Sequence, residues 1–117
     1  MVRNGGDGRK PQTKKSNPPS VSHMLESVLG CKWSIHVLCQ VHRGVRRPGE
    51  LVRTAPGLTH KVLSERLAKL VRFTVLEKKS FPEVPPRVEY SLTPFGRRFI
   101  KLIDEVDALQ RDLGDKS

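Results

Sequence analysis

Residues 48–73, PGELVRTAPGLTHKVLSERLAKLVRF, carry the strongest structural signal in this chain. Residues 48–54 predict a short helix, because proline is well tolerated in the first turn of a helix. Residues 55–58, Ala-Pro-Gly-Leu, predict a turn. Thr59 then caps a longer helix that runs to about Phe73, with leucines repeating every three or four residues along one side. Two helices joined by a short glycine-containing turn are typical of a helix-turn-helix motif.

Two further helices are predicted before this motif. Residues 21–29 place apolar side chains at helical spacing, and Gly30 breaks the pattern. Residues 32–43 predict a second helix, whose apolar side chains include Trp33. Gly44 is suited to end this helix in the left-handed conformation.

A β-hairpin and a last helix are predicted after the motif. Residues 75–81 and 87–92 are expected to be strands, and the second alternates apolar and polar side chains. Residues 82–86 contain three prolines and must form a loop, which makes the hairpin a wing. Thr93 caps a final helix that continues to the end of the apolar pattern. The predicted fold is mainly α with a small β-hairpin, a winged helix-turn-helix domain with a C-terminal dimerisation helix.

The charge of the chain points to a polyanionic partner. It has 117 residues, with 22 Lys and Arg against 12 Asp and Glu, and a pI near 10.2. Residues 1–19 are basic and almost devoid of apolar side chains, which predicts a disordered tail. Residues 20–117 are expected to form the winged domain. With no apolar stretch suited to a signal peptide or a bilayer, the expected location is the cytoplasm and no membrane partner is expected.

Three segments resemble the HxlR-type winged-helix regulators. They are GCKWSIHVL (30–38), RRPGELVRTAPGLTHKVLSERLAKL (46–70) and FPEVPPRVEYSLTPFGRRF (81–99). The likeness spans roughly residues 20–109. It implies homodimers that bind operator DNA, with terminal helices packed between the subunits. In some members of the family it also implies control by an electrophile, an oxidant or a metabolite.

The chain departs from the family pattern at two informative positions. Many members carry a cysteine, often redox-sensing, where this sequence has Ser20. The long helix usually ends in Asp-Gly, whereas here the residues are Phe73 and Thr74. Glycine adopts a positive φ at no steric cost and β-branched threonine does not, so a different local exit from the helix is expected.

The side chains that read DNA are expected on the helix after Thr59. Its inward face is formed by leucines, and the outward side chains are Lys61, Ser64, Glu65, Ala68 and Lys69. The N-terminal part of a recognition helix reaches base edges in the major groove. The predicted reading set is Thr59, His60, Lys61, Ser64 and Glu65. Glu65 is suited to accept from cytosine N4, and Lys61 to donate to guanine or a phosphate.

Two further sets of residues complete the predicted DNA-binding dimer. The predicted wing contacts to the DNA backbone are Lys78, Lys79 and Arg87. The alternative for each is a solvated strand charge. The last helix carries more apolar surface than one side of a small domain needs, which favours a dimer interface. The predicted interface residues are Phe95, Phe99, Leu102, Ile103, Val106 and Leu109. The alternative is packing entirely onto the chain's own domain.

Cys31 is a candidate thiol sensor. It lies beside Lys32 in the first turn of a helix, where the helix dipole and the cation favour the thiolate. The alternative is a small buried residue beside Trp33. Cys39 is expected to be inert. The sequence has no metal-binding signature, no phosphate-binding glycine loop and no hydrolase motif, so no metal, cofactor or enzymatic activity is expected.

These observations predict a sequence-specific transcriptional regulator that binds double-stranded DNA as a homodimer on a palindromic operator. Repression is the expected mode, with possible control by a small-molecule effector or a redox signal. One alternative is a winged-helix protein-interaction module with a basic surface. Another is an architectural DNA protein without sequence preference, although an acidic residue such as Glu65 on the groove face argues against it.

Overall fold

The computed structural model of the chain describes residues 19–114. The predicted mainly helical fold with a two-stranded antiparallel hairpin is confirmed. The elements are α1 (Val21–Leu29), α2 (Lys32–His42), α3 (Pro48–Val52), α4 (His60–Arg72), β1 (Leu76–Phe81), β2 (Arg87–Leu92) and α5 (Pro94–Gly114). The predicted tail, residues 1–19, lies outside the described residues apart from Pro19.

Helix α3 ends two residues earlier than the sequence predicts, in a tight turn where the Arg53 and Thr54 N–H groups donate to carbonyl oxygens only three residues back. The Thr54 hydroxyl donates to the Leu51 carbonyl oxygen at 2.6 Å. His36 Nε2 lies 2.7 Å from the same hydroxyl oxygen. Because a hydroxyl has only one proton to donate, His36 Nε2 is the donor of the second bond. Thr54 therefore joins the end of α3 to α2 instead of continuing the helix.

The hydrophobic core lies where the five helices meet the base of the hairpin. Seventeen apolar side chains are buried there. The helical contributors are Met24 and Val28 of α1, Val37, Leu38 and Val41 of α2, Leu51 of α3, Leu63, Leu67 and Leu70 of α4, and Phe99, Ile100 and Ile103 of α5. Trp33 is partly buried against this core, as expected of a packing residue.

The hairpin is anchored at its base and open at its tip. Leu76 pairs with Leu92, and Phe81 pairs with Arg87 at the far end. The Tyr90 N–H donates to the Arg46 carbonyl oxygen at 2.9 Å, so the connection between α2 and α3 runs along β2. This contact fixes the hairpin against the helical part of the domain.

The exit of α4 corrects one expectation from the sequence. Thr74 adopts a φ of 61°, so the positive φ is kept although the residue is threonine. Its N–H donates to the Val71 carbonyl oxygen at 2.9 Å, and the Val75 N–H donates to the Leu70 carbonyl oxygen at 3.0 Å. These two bonds form a Schellman motif, and Leu70 and Val75 are both fully buried. The motif offsets the cost of about 1 kcal/mol that a non-glycine residue pays in this conformation.

Candidate nucleic-acid interface

Helix α4 is held so that one of its faces is fixed in the core and the other is presented to solvent. The Thr59 hydroxyl oxygen caps it by accepting from the Val62 N–H at 3.1 Å. Leu63, Leu67 and Leu70 are at most 2% exposed. Burying three leucines contributes several kcal/mol to the stability of the fold. It also fixes which side of α4 faces the core and which side faces solvent.

The exposed stripe of α4, which we call the recognition face, consists of Lys61, Ser64, Glu65, Ala68 and Arg72. These residues follow one another at three- and four-residue spacing, so they form one continuous surface. Thr59 and His60 are also exposed at its N-terminal end. The structure thus brings all five residues of the predicted reading set together. Arg72 was not predicted, although continuing the spacing from Ser64 through Ala68 leads to it.

Glu65 is paired with cations on both sides. Lys61 Nζ lies 3.2 Å from Glu65 Oε2, and Arg66 Nη1 lies 3.5 Å from Glu65 Oε1. The Lys61 side chain is 83% exposed and that of Glu65 is 52% exposed. Pairs as exposed as these contribute little to stability, so both side chains can exchange partners at little cost.

Lys69 does not face outward, which corrects another expectation. The side chain is half-buried on the flank of α4, and its Nζ donates to the Ser27 carbonyl oxygen of α1 at 3.4 Å. Burial lowers the pKa of the Lys69 ammonium. Arg66, which the sequence analysis did not single out, is partly buried on the helix as well. Lys69 therefore connects the recognition helix to α1.

A groove of about 450 Å³ separates α4 from the hairpin. Lys78 stands on the hairpin side of this groove, while Ser64 and Arg72 stand on the helix side. Tyr90, the cross-strand partner of Lys78, also lines it. Two cations on opposite sides of an open groove suit a phosphate backbone that passes between the helix and the wing.

Lys79 and Arg87 belong to the other face of the hairpin, because side chains alternate along a strand. Arg87 Nη2 lies 3.2 Å from Glu83 Oε2, and its guanidinium carbon lies 4.1 Å from the centre of the Phe81 ring. Arg87 Nε also lies 3.4 Å from Glu89 Oε2, an ion pair without the alignment of a hydrogen bond. Arg87 is thus engaged within the wing, whereas Lys79 is exposed.

The six residues predicted for the dimer interface fall into two groups on α5. Phe99 and Ile103 are 1% and 2% exposed within the single chain, so they belong to its own core and cannot supply interface surface. Leu102 is 44% exposed and Leu109 is 66% exposed. Phe95 and Val106 are partly buried. The spacing of the apolar stripe could not separate these groups, because both groups are apolar and follow the same helical spacing. Only the packing of α5 against the rest of the domain shows which of them are covered.

An open groove of about 540 Å³ lies between the start of α1 and the first half of α5. Its apolar lining includes Val21, Phe95 and Leu102, and Arg98 and Glu105 stand at its edges. Trp33 does not line this groove.

Cys31 is the N-cap residue of α2, and its thiol is free and partly exposed. The expected cation, Lys32, is directed elsewhere, since its Nζ lies 5.1 Å from the centre of the Trp33 ring. Cys39 is also free. Burial raises the pKa of the Cys39 thiol, and Asp104 and Asp107 of α5 raise it further. Cys39 is therefore protonated at neutral pH.

Other kinds of site have little support in the described part of the chain. Within residues 19–114, no cluster of three or more His, Cys, Asp or Glu side chains could hold a metal ion. No helix in the same range has the length and apolar composition needed to cross a bilayer.

A capped recognition helix beside an antiparallel wing, with a basic polar face, defines a winged helix-turn-helix transcriptional regulator. The chain belongs to the HxlR-like helix-turn-helix family, whose model matches residues 28–117. It is 38% identical over 92 residues to the HTH-type transcriptional regulator sll1512 of Synechocystis sp., covering 79% of this chain and 67% of that protein.

Solved structures agree with this assignment. A transcriptional regulator of the MarR family from Enterococcus faecalis matches with a TM-score of 0.73 and 27% identity, over 91% of this chain and 96% of that one. The reduced form of the regulator YodB from Bacillus subtilis matches with a TM-score of 0.71 and 27% identity, over 81% and 93% of the two chains. The winged fold and the family resemblance expected from the sequence are confirmed.

Proposed function

We propose that this chain regulates transcription as a homodimer that binds a palindromic operator through the recognition face of α4. The observation that carries the proposal is the position of Lys61, Ser64 and Glu65 on the exposed side of a helix whose opposite side is fixed in the core. A helix so held can enter the major groove as a rigid body, and its exposed side chains then meet base edges at fixed positions.

The side chains of the recognition face have distinct proposed roles. Glu65 accepts from a cytosine N4 amine, and Lys61, released from Glu65, donates to guanine or to a phosphate. Ser64 reads a neighbouring base, while Thr59 and His60 contact the DNA at the start of the helix. Because the Lys61–Glu65 pair is exposed, breaking its 3.2 Å contact so that both side chains can reach the DNA costs little.

The wing is proposed to position the protein rather than to read sequence. Lys78 contacts the phosphates of the strand that passes through the groove beside α4. Lys79 contacts the flanking backbone. Arg87 holds the wing in shape through Glu83 and Phe81 and contributes to DNA binding through that shape.

The proposed dimer interface is the solvent-exposed side of α5 together with the start of α1. Leu102 and Leu109 expose apolar surface there, and Phe95 and Val106 flank them. The charges of α5 are also segregated. Its first half contains the cations Arg97, Arg98 and Lys101, and its second half contains the anions Asp104, Glu105, Asp107 and Asp112 beside Arg111.

This segregation favours an antiparallel pairing of the two α5 helices. An antiparallel arrangement places the basic half of one helix against the acidic half of its partner, whereas a parallel one would oppose like charges. A two-fold axis between the helices would present two copies of α4 to successive major grooves, about one helical turn apart, which suits a palindromic site.

Repression by occupation of the operator is the proposed mode, in the cytoplasm and without enzymatic activity. Control by a small-molecule effector or a reactive chemical signal is part of the proposal. The groove between α1 and α5 adjoins the proposed interface, so a molecule bound there would act on the spacing of the two recognition helices.

Selection of random duplex DNA by the purified full chain, read by sequencing at near-physiological salt, tests the proposal. The expected result is an enriched palindrome with half-sites about one helical turn apart. Failure to enrich any motif would contradict it. Salt-sensitive binding without a motif would then indicate an architectural protein, and absence of DNA binding would indicate a protein-interaction module.

A further inference from the structure

The groove between α4 and the hairpin is lined by a tyrosine whose hydroxyl is left without a partner. Tyr90 is 9% exposed, and within residues 19–114 no side chain or backbone group forms a hydrogen bond with its hydroxyl. Burial raises the pKa of this hydroxyl, so it stays protonated at neutral pH and can donate. A buried tyrosine hydroxyl usually has a hydrogen-bond partner. This one is suited to donate to a ligand that enters the groove.

Two cations line the same groove without an acidic partner. Lys78 pairs with Tyr90 across the hairpin, so both side chains lie on one face of it. Arg72 lies in the last turn of α4, on the opposite side of the groove. In the described part of the chain neither cation forms a salt bridge, whereas Lys61 and Arg87 each lie 3.2 Å from a glutamate oxygen. The charges of Arg72 and Lys78 are therefore available to an anion.

The remaining lining of the groove suits a sugar–phosphate chain better than a free inorganic anion. Leu67 and Val71 contribute apolar surface, and Ala68 presents only a methyl group one turn before Arg72. A small side chain at residue 68 leaves the approach to the two cations open. A deoxyribose can pack on this apolar surface while its phosphate lies between the charges.

We propose that Arg72, Lys78 and Tyr90 form a phosphate site that holds one particular phosphodiester of each operator half-site. The Tyr90 hydroxyl donates to a non-bridging oxygen, and the two cations approach the phosphate from opposite sides of the groove. The inference rests on the proposed function, since the ligand is the operator itself. It assigns Arg72 and Tyr90 as positioning residues, because a phosphate contact fixes register and orientation without reading sequence.

The phosphate site connects the wing to the register of the recognition face. Lys78 and Tyr90 belong to the hairpin and Arg72 to the end of α4, so one phosphate bound by all three fixes the hairpin and the helix relative to the same point on the DNA. Ser64 lies about 12 Å before Arg72 along the helix axis. The bound phosphate therefore determines which base pair the Ser64 side chain meets.

Tyr90→Phe and Arg72→Gln test the site in the full chain, with Arg43→Gln as the matched control at an exposed arginine that does not line the groove. Both groove variants should weaken binding to operator and random duplex alike by about tenfold, because each loses a hydrogen bond to a charged group. Arg72→Gln should also reduce the slope of log K against log salt by about 0.9 for each phosphate that is no longer neutralised, whereas Tyr90→Phe should not change it.

Fluorescence anisotropy at several salt concentrations measures both quantities, and chemical denaturation shows that the variants are folded. An unchanged affinity of the Tyr90→Phe chain would overturn the role of the hydroxyl and with it the site.

Operator duplexes in which one phosphate at a time is replaced by a neutral methylphosphonate locate the contact. At one position in each half-site, the replacement should weaken binding by Tyr90→Phe and by Arg72→Gln at least about threefold less than binding by the native chain, since the variants have already lost part of that contact. Arg43→Gln should behave like the native chain at every position. Equal losses for native and groove-variant chains at all positions would overturn the phosphate site alone.

Failure of the proposed function would give a different result. Binding without any operator preference would overturn that function, and the Tyr90→Phe comparison on random duplex would still decide the phosphate site. Absence of all DNA binding would overturn both.

Discussion

The Thr93 hydroxyl donates to the Thr74 carbonyl oxygen at 2.6 Å and joins the exit of α4 to the start of α5. The Thr93 hydroxyl oxygen in turn accepts from the Gly96 N–H at 2.8 Å and so caps α5. One side chain thereby links the recognition helix to the helix proposed for dimerisation. In the proposed dimer, this link would fix the spacing of the two recognition helices relative to the two-fold axis.

Gly96 is the position where this junction has the least room. A Cβ at residue 96 would overlap the Val75 carbonyl oxygen and press on the Leu92 side chain. Gly96→Ala should therefore lower the free energy of unfolding by about 2 kcal/mol or more. Gly49→Ala is the matched control, since a Cβ there meets nothing within 4 Å. Chemical denaturation followed by circular dichroism checks both, and equal stability of the two variants would contradict the close packing.

Lys61 and Ser64 should determine operator preference. Replacing both by alanine should reduce the ratio of operator to random-duplex affinity roughly 30-fold, since removing each base-reading side chain costs about 1 kcal/mol or more. Both side chains are exposed, so the dimer and the fold should be unaffected. Fluorescence anisotropy with the two duplexes measures the ratio, and gel filtration controls for assembly. Retained preference would mean that α4 is not the reading helix.

Lys78 and Lys79 should contribute to DNA affinity and its salt dependence, and not to operator preference. Replacing both by alanine should weaken binding to all duplexes alike and reduce the slope of log K against log salt by about 0.9 for each phosphate that is no longer neutralised. Arg87→Ala should leave the slope nearly unchanged, since its charge is engaged by Glu83 and Glu89. Titrations at several salt concentrations measure the slopes. A larger slope change for Arg87→Ala than for the lysine pair would contradict this division of roles.

Leu109 should be required for dimerisation and not for folding. It is 66% exposed in the single chain, so Leu109→Asp leaves the core packing intact. Placing a carboxylate in the proposed interface should raise the dimer dissociation constant at least about tenfold. Val84→Asp, at a fully exposed site on the wing tip, is the matched control. Sedimentation velocity measures both, and an unchanged dimer in the Leu109 variant would rule out this side of α5 as the interface.

The ionisation of Cys31 predicts a pH dependence of stability. The pKa of its thiol is lowered from 9.0 to about 7 in the folded chain, so the thiolate stabilises the fold. This contribution is complete above the unfolded pKa of 9.0 and is lost as the pH falls through 7. Because the site is partly exposed, we expect the thiolate to contribute only about 1 kcal/mol to the free energy of unfolding. The difference in unfolding free energy between the native chain and Cys31→Ser, measured from pH 6 to 9.5, should grow with pH. A flat difference would contradict the lowered pKa, and Cys39→Ser serves as the control.

Local sequence signals were enough to set the order and type of the elements. Thr59, Thr93 and Gly44 are such signals, because a cap or a left-handed residue acts on its own few neighbours. The leucine spacing in α4 established which side of that helix is buried. The exposure of Lys61, Ser64 and Glu65 follows directly from that spacing and could therefore be predicted, while their role in reading DNA stays a prediction.

Features that depend on packing between elements could be learned only from the folded chain. The buried positions of Phe99 and Ile103, the inward turn of Lys69 and the engagement of Arg87 within the wing all depend on neighbours from other elements or from the wing loop. The ionisation of Cys31 also depends on another element. The sequence suggested Lys32 as the cation that favours the thiolate, whereas the cations that lower its pKa, Arg66 and Lys69, belong to α4. Helical periodicity specifies on which side of its helix a side chain lies. Burial and ionisation depend on which residues of other elements are packed against that side.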